Sequence, residues 1–105
     1  MIEVGAAFSS TYAEARIKFL EAAAIAGLQI NSFNQPLLGK DGETLAMDTA
    51  LQLPASGKAS DKLLILSSAC HGVEGYCGSG VQTYALHDAE WLAYAREHDV
   101  TVLYI

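Results

Sequence analysis

Leu63-Leu64-Ile65-Leu66-Ser67-Ser68-Ala69-Cys70-His71-Gly72-Val73-Glu74-Gly75-Tyr76-Cys77-Gly78-Ser79-Gly80 is the stretch that decides the fold. It opens as a short continuous apolar run, the pattern of a strand buried on both faces. It then breaks into a segment with four glycines in nine residues, Gly72 to Gly80, and a helical pattern is expected from about Ser79. Strand, glycine-rich turn and helix make half of a βαβ unit. In open α/β sheets, ligands sit at the carboxyl ends of such strands. His71 and Glu74, the side chains best suited to chemistry, fall in that turn, so a divalent metal site is expected there.

Working outward, Val81, Tyr84 and Ala85 continue the helix to about Asp88, and Ala89 to Glu97 reads as a second helix or a kinked continuation. His98-Asp99 is a turn, and Val100 to Ile105 is a strand that must run parallel to the first, since a crossover joins them. Upstream, Thr11 and Glu14 have the spacing of a capping box for a helix over Tyr12 to Ala26, and Gly27 suits its left-handed stop. Tyr12, Ala15, Phe19, Ala22, Ala23 and Ala26 form its apolar stripe. Leu28 to Asn34 reads as a short strand. Leu45, Met47, Thr49, Leu51 and Leu53 alternate against Asp48, Ala50 and Gln52 as a half-exposed strand antiparallel to it. The loop from Pro54 to Asp61 is of ordinary connector length, so no domain boundary falls there. The expected fold class is α/β: a mixed central sheet flanked by helices, in which an antiparallel strand pair precedes a βαβ unit.

The 105 residues carry a net charge of −6, which argues against nucleic acid or an anionic membrane surface as a partner. Half the residues are apolar, enough for a core, yet no run reaches the roughly 20 residues of a membrane span. Met1 to Gly5 lack the pattern of a signal peptide, and a cytoplasmic location is the expectation. Cys70 and Cys77 then read as reduced thiols in buried or half-buried packing positions; their spacing suits neither a zinc ribbon nor a redox pair. His87 and His98 read as surface residues, the first in mid-helix and the second at the far end of the crossover.

A hydrolytic zinc site takes three protein ligands and a water. His71 and Glu74 could converge on one ion if the turn closes, with Gly72 and Gly75 supplying backbone freedom. On spacing alone, a histidine and a glutamate capping or bracing a loop is the simpler explanation of H-x-x-E. A phosphate loop is excluded because no lysine follows Lys62, and the glycine order is wrong for a dinucleotide fingerprint. Cys70, Ser67, Ser68 and Ser79 are possible nucleophiles, but none sits in a G-x-S-x-G elbow.

The segments Phe8 to Leu20, Gly39 to Glu43 and His71 to Gln82 together resemble the opening third of a zinc-carboxypeptidase-like family of unassigned function. It belongs to the wider superfamily of zinc carboxypeptidases and succinylglutamate desuccinylases. The resemblance implies His71 and Glu74 as two ligands of a single zinc ion. It implies a third ligand, a histidine, and a general-base glutamate beyond Ile105. On this reading residues 1–105 are an amino-terminal fragment of one such domain, ending inside its last strand and expected to self-associate. It would bind zinc weakly and catalyse nothing alone. The complete enzyme would cleave an amide bond in a small peptide or an N-acyl amino acid. The alternatives are a non-catalytic α/β binding domain and a hydrolase with a cysteine or serine nucleophile.

Overall fold

The computed structural model describes residues 1–70 and 72–105. It is a mixed α/β structure. A 3-10 turn, Val4–Ala7, leads to α1 (Tyr12–Ile25), followed by β1 (Gln29–Asn34), β2 (Ala46–Gln52) and β3 (Lys62–Leu66). Helices α2 (Gly75–Leu86) and α3 (Ala89–Glu97) then cross over to β4 (Val100–Tyr104). The four strands make one sheet in the order β1-β2-β4-β3. β1 and β2 are antiparallel, β2 and β4 are antiparallel, and β3 runs parallel to β4. The antiparallel pair and the βαβ unit expected from the sequence are both present.

Local chemistry sets the bounds of α1. The Thr11 hydroxyl accepts from the Glu14 N–H at 3.2 Å, while the Glu14 carboxylate reaches back to the Ser10 N–H rather than to Thr11 itself. At the other end Gly27 adopts φ +76°, and the Gly27 and Leu28 N–H groups bond the carbonyls of Ala24 and Ala23. That is a Schellman stop, and it folds Leu28 back into the core. The apolar stripe is as expected: Ala15, Phe19, Ala22 and Ala23 are buried.

Two expectations about the sheet are corrected. The first concerns β2. Its alternation suggested that Met47, Thr49 and Leu51 would face the core, but the opposite set does: Ala50 is fully buried and Gln52 is 1 % exposed, whereas Met47 is 54 % exposed. The polar members of the buried set are satisfied individually. Asp48 is held by Arg16 and Ser32, and Gln52 donates to the Leu92 carbonyl at 2.8 Å. A buried polar side chain with a partner loses little, and a strand can therefore turn its more polar face inward.

The second concerns β3, which reads as an interior strand buried on both faces. It lies at the sheet edge, with Leu63 58 % and Ile65 53 % exposed, and β4 takes the interior place. All three helices cover one face of the sheet. Phe19, Ala22 and Ala23 from α1, Leu86 from α2, and Leu92 and Ala95 from α3 meet Ala50, Val102 and Tyr104 in one core. The register groups Phe33, Met47, Leu51, Leu103, Leu63 and Ile65 on the other face. Beneath the core, the Trp91 Nε1–H donates to the Tyr104 hydroxyl at 2.9 Å, and burial pushes the Tyr104 phenol above its ordinary pKa despite that bond.

Among the described residues no helix is long and apolar enough to cross a membrane.

Candidate functional site

The site is built where β3 and β4 end. Backbone pairing outlasts both strands: the Ile105 N–H donates to Leu66 at 2.8 Å and the Ser68 N–H donates to Ile105 at 2.9 Å. From α2, buried Gln82 donates through Nε2 to both the Leu66 and Ile105 carbonyls, at 3.0 and 3.1 Å. One amide thus ties the helix to the last residues of two parallel strands. Nothing in the apolar and glycine patterns marked Gln82; a glutamine on the inner side of a crossover helix was the only available sign.

The chain then turns sharply. Ala69 takes φ +58°, a left-handed conformation costing an alanine roughly 1 kcal/mol, and Gly72 takes φ +70°. Helix α2 begins at Gly75, four residues before the expected Ser79, so three of the four glycines lie within it. Its early start follows from space. A Cβ on Gly75 would lie 2.6 Å from the Ala69 Cα, one on Gly78 would lie 2.7 Å from the Ser68 Cβ, and one on Gly80 would run into the Phe8 ring. Positive φ is therefore needed at Gly72 but not at Gly75, where close approach explains the glycine.

Glu74 occupies the residue before α2 without capping it through its side chain. Its carboxylate folds back over Gly72, where a Cβ would collide with it. With Cys70, Ser67 and Gly78 it lines a small hollow of about 250 Å³. His71 lies outside the described residues, so the convergence of His71 and Glu74 is not part of this geometry. Among the described residues no group of three His, Cys, Asp or Glu side chains could hold a metal ion. Glu74 nevertheless fits the role of one oxygen ligand: an exposed carboxylate at a strand-end turn, seated where a side chain on Gly72 would otherwise lie.

Cys70 and Cys77 are both exposed free thiols, not packing residues, because the tight seam between the turn and α2 is filled by Ala69, Ser68 and the glycines. His87 caps the carboxyl end of α2, a 12-residue helix and hence about 18 Å from Glu74 at the other end. His98 ends α3, its ring stacked on Tyr94 at 3.9 Å and its carbonyl bonded by Lys62 at the start of β3. That is the opposite end of the strands from the glycine turn.

A larger cavity of about 690 Å³ adjoins the turn, between α1, β2 and the strand ends. Its walls include Phe19, Ala46, Val73, Tyr76 and Ile105, with Arg16 and Asp48 on one side. The Tyr12 hydroxyl frames it by accepting from the Ala46 N–H at 2.8 Å and donating to the Ala46 carbonyl at 3.2 Å. Arg16 grips Asp48 with two bonds, Nε to Oδ2 at 2.8 Å and Nη2 to Oδ1 at 3.1 Å. Burial pushes the Asp48 carboxyl up, but the bonds from Arg16 and Ser32 and the guanidinium charge outweigh it, leaving the pKa below the ordinary value. The same pairing raises that of Arg16.

Comparison with known families matches residues 8–105 to the family described as "Protein of unknown function (DUF2817)". The chain belongs to the DUF2817 family. The match spans the turn, both helices that flank the cavity and all four strands. No curated protein and no solved structure matches the chain.

Proposed function

We propose that this DUF2817 chain carries part of the metal site of a zinc-dependent hydrolase that cleaves an amide bond. The observation that carries the reading is the position of the Glu74 carboxylate at the exit of a parallel strand, where it lines a hollow of about 250 Å³ with Ser67, Cys70 and Gly78. That is where open α/β sheets bind their ligands, and a cavity of about 690 Å³, of small-molecule size, adjoins the same turn at Gly72 and Val73. The resemblance to zinc-carboxypeptidase-like proteins supplies the rest. His71, three residues earlier in the sequence, would be the second ligand. On the same resemblance a third ligand, a histidine, and a general-base glutamate would complete the site.

When bound, zinc would lower the pKa of a water towards about 7 and polarise a carbonyl. The chain's own residues do the rest. Gly72, having no side chain, lets the Glu74 carboxylate fold over it, and the seam of Gly75 and Gly78 against Ala69 and Ser68 fixes α2 to the strand end. Gln82 holds the ends of β3 and β4 in register beneath it.

A serine or cysteine nucleophile is the weaker reading. In a nucleophile elbow the residue in the strained turn carries the attacking atom. Here, among the described residues, the left-handed positions of the turn after β3 are Ala69 and Gly72, which have none.

Calorimetric zinc titration of the full reading-frame product, with His71→Ala and Glu74→Gln beside it, tests the proposal. Binding that both substitutions abolish is the expected result. Equal binding in either variant would remove that residue from the site, and equal binding in both would refute the assignment.

A further inference from the structure

Arg16 and Asp48 are the charged side chains that line the large cavity among the described residues. Asp48 occupies the Nε edge of the guanidinium, leaving the Nη1 edge without a protein acceptor among those residues. A guanidinium presents five N–H groups in a fixed fork, and Asp48 holds this one in place. Arg16 lines a cavity whose other walls combine apolar side chains such as Phe19, Val73 and Ile105 with polar ones such as Tyr76, Ser79 and Gln82.

The charge of the pair decides what that donor would accept. Arg16 and Asp48 cancel. In the metal-free protein, a carboxylate brought onto the open edge would leave one uncompensated negative charge close to the Asp48 carboxylate, in a chain of net charge −6. A carbonyl takes the same hydrogen bonds and brings no charge. We propose that this cavity binds the uncharged acyl half of an amide, its apolar chain along Phe19 and Val73 and its carbonyl oxygen on the free edge of Arg16. As an assignment of substrate class this rests on the amide-hydrolase reading, which it narrows to acylated amides and away from ligands that present a free carboxylate here. Arg16 is then a specificity-determining residue, with Asp48 its positioning partner.

The test is binding without metal. Chelator-treated, isotopically labelled protein is titrated with hexanamide and, separately, with hexanoate, and backbone amide shifts are followed by NMR. Hexanamide should shift the resonances of Ala15, Ala46 and Val73 saturably, and hexanoate should bind about tenfold more weakly. Arg16→Lys keeps a cation for Asp48 but loses the fork, and should weaken hexanamide binding about tenfold while the spectrum keeps its native dispersion. Equal or tighter binding of hexanoate overturns the proposal, as does unchanged affinity in Arg16→Lys or the absence of shifts at these residues. The comparison of the two ligands on the unmodified protein stands even if the variant does not fold. Zinc binding without hexanamide binding would remove only this ligand class. Hexanamide binding without zinc binding would keep the cavity and remove the hydrolase.

Discussion

Replacing Gly75 by alanine should loosen the turn that carries Glu74, and the size of the effect can be worked from the packing. The added methyl would sit 2.6 Å from the Ala69 Cα and 2.9 Å from its Cβ. Carbon atoms rest about 3.5–4.0 Å apart, so α2 and the strand exit must separate by roughly 1 Å. Neither side yields readily, because the obstacle is backbone and Ala69 is already in a left-handed conformation. Overpacking of this kind costs about 1–3 kcal/mol. Alanine's better helix propensity returns at most about 1 kcal/mol, and less in a first turn. A net loss of about 1–2 kcal/mol should lower the urea midpoint by about 1 M for a protein of this size. Gly5→Ala, where nothing lies within 4 Å and no positive φ is needed, is the control and should leave the midpoint unchanged or slightly raised. A Gly75→Ala midpoint equal to or above that of the unmodified protein would refute the close-approach explanation of the glycine run.

The inverted face of β2 predicts a contrast between neighbours. Met47→Ser should cost less than about 0.5 kcal/mol and Ala50→Ser more than 1 kcal/mol in urea unfolding, since Met47 is half exposed and Ala50 fully buried. The Arg16–Asp48 pair predicts an acid limb. The Asp48 carboxyl titrates below its ordinary 3.8 in the fold, so its contribution is full above the unfolded value and declines as pH falls through the lower folded one. Stability profiles of the protein and of Asp48→Asn should therefore differ most near neutral pH and converge at low pH; a constant offset would exclude the linkage.

What the sequence disclosed and what it withheld divide along physical lines. Helix α1 was legible almost to the residue because its signals are local: Thr11 and Glu14 at one end, Gly27 at the other, and a stripe through Ala15 and Phe19. The strand pairings followed from connector lengths. The inward face of β2 did not, because Asp48 and Gln52 are made tolerable by Arg16 and the Leu92 carbonyl, partners 32 and 40 residues away. The edge position of β3 was hidden for a related reason. Leu63 and Ile65 report an apolar strand, but not which of two apolar strands lies inside. At the site, the strand-to-helix turn and the place of Glu74 could be read. Arg16 and Gln82 could not, since one looked like a helix surface charge and the other like filler in a glycine-rich segment.

The edge position of β3 bears on the endurance of the turn. Its amides have a ladder neighbour on one side only, whereas β4 is bonded on both. Fraying at an open margin is the cheapest local opening a sheet has. When β3 peels from β4, the surface on which Gly75 and Gly78 rest departs with it, because Ser68 and Ala69 belong to the same exit. Hydrogen exchange at Leu64 to Leu66 should therefore rise together with exchange at the start of α2.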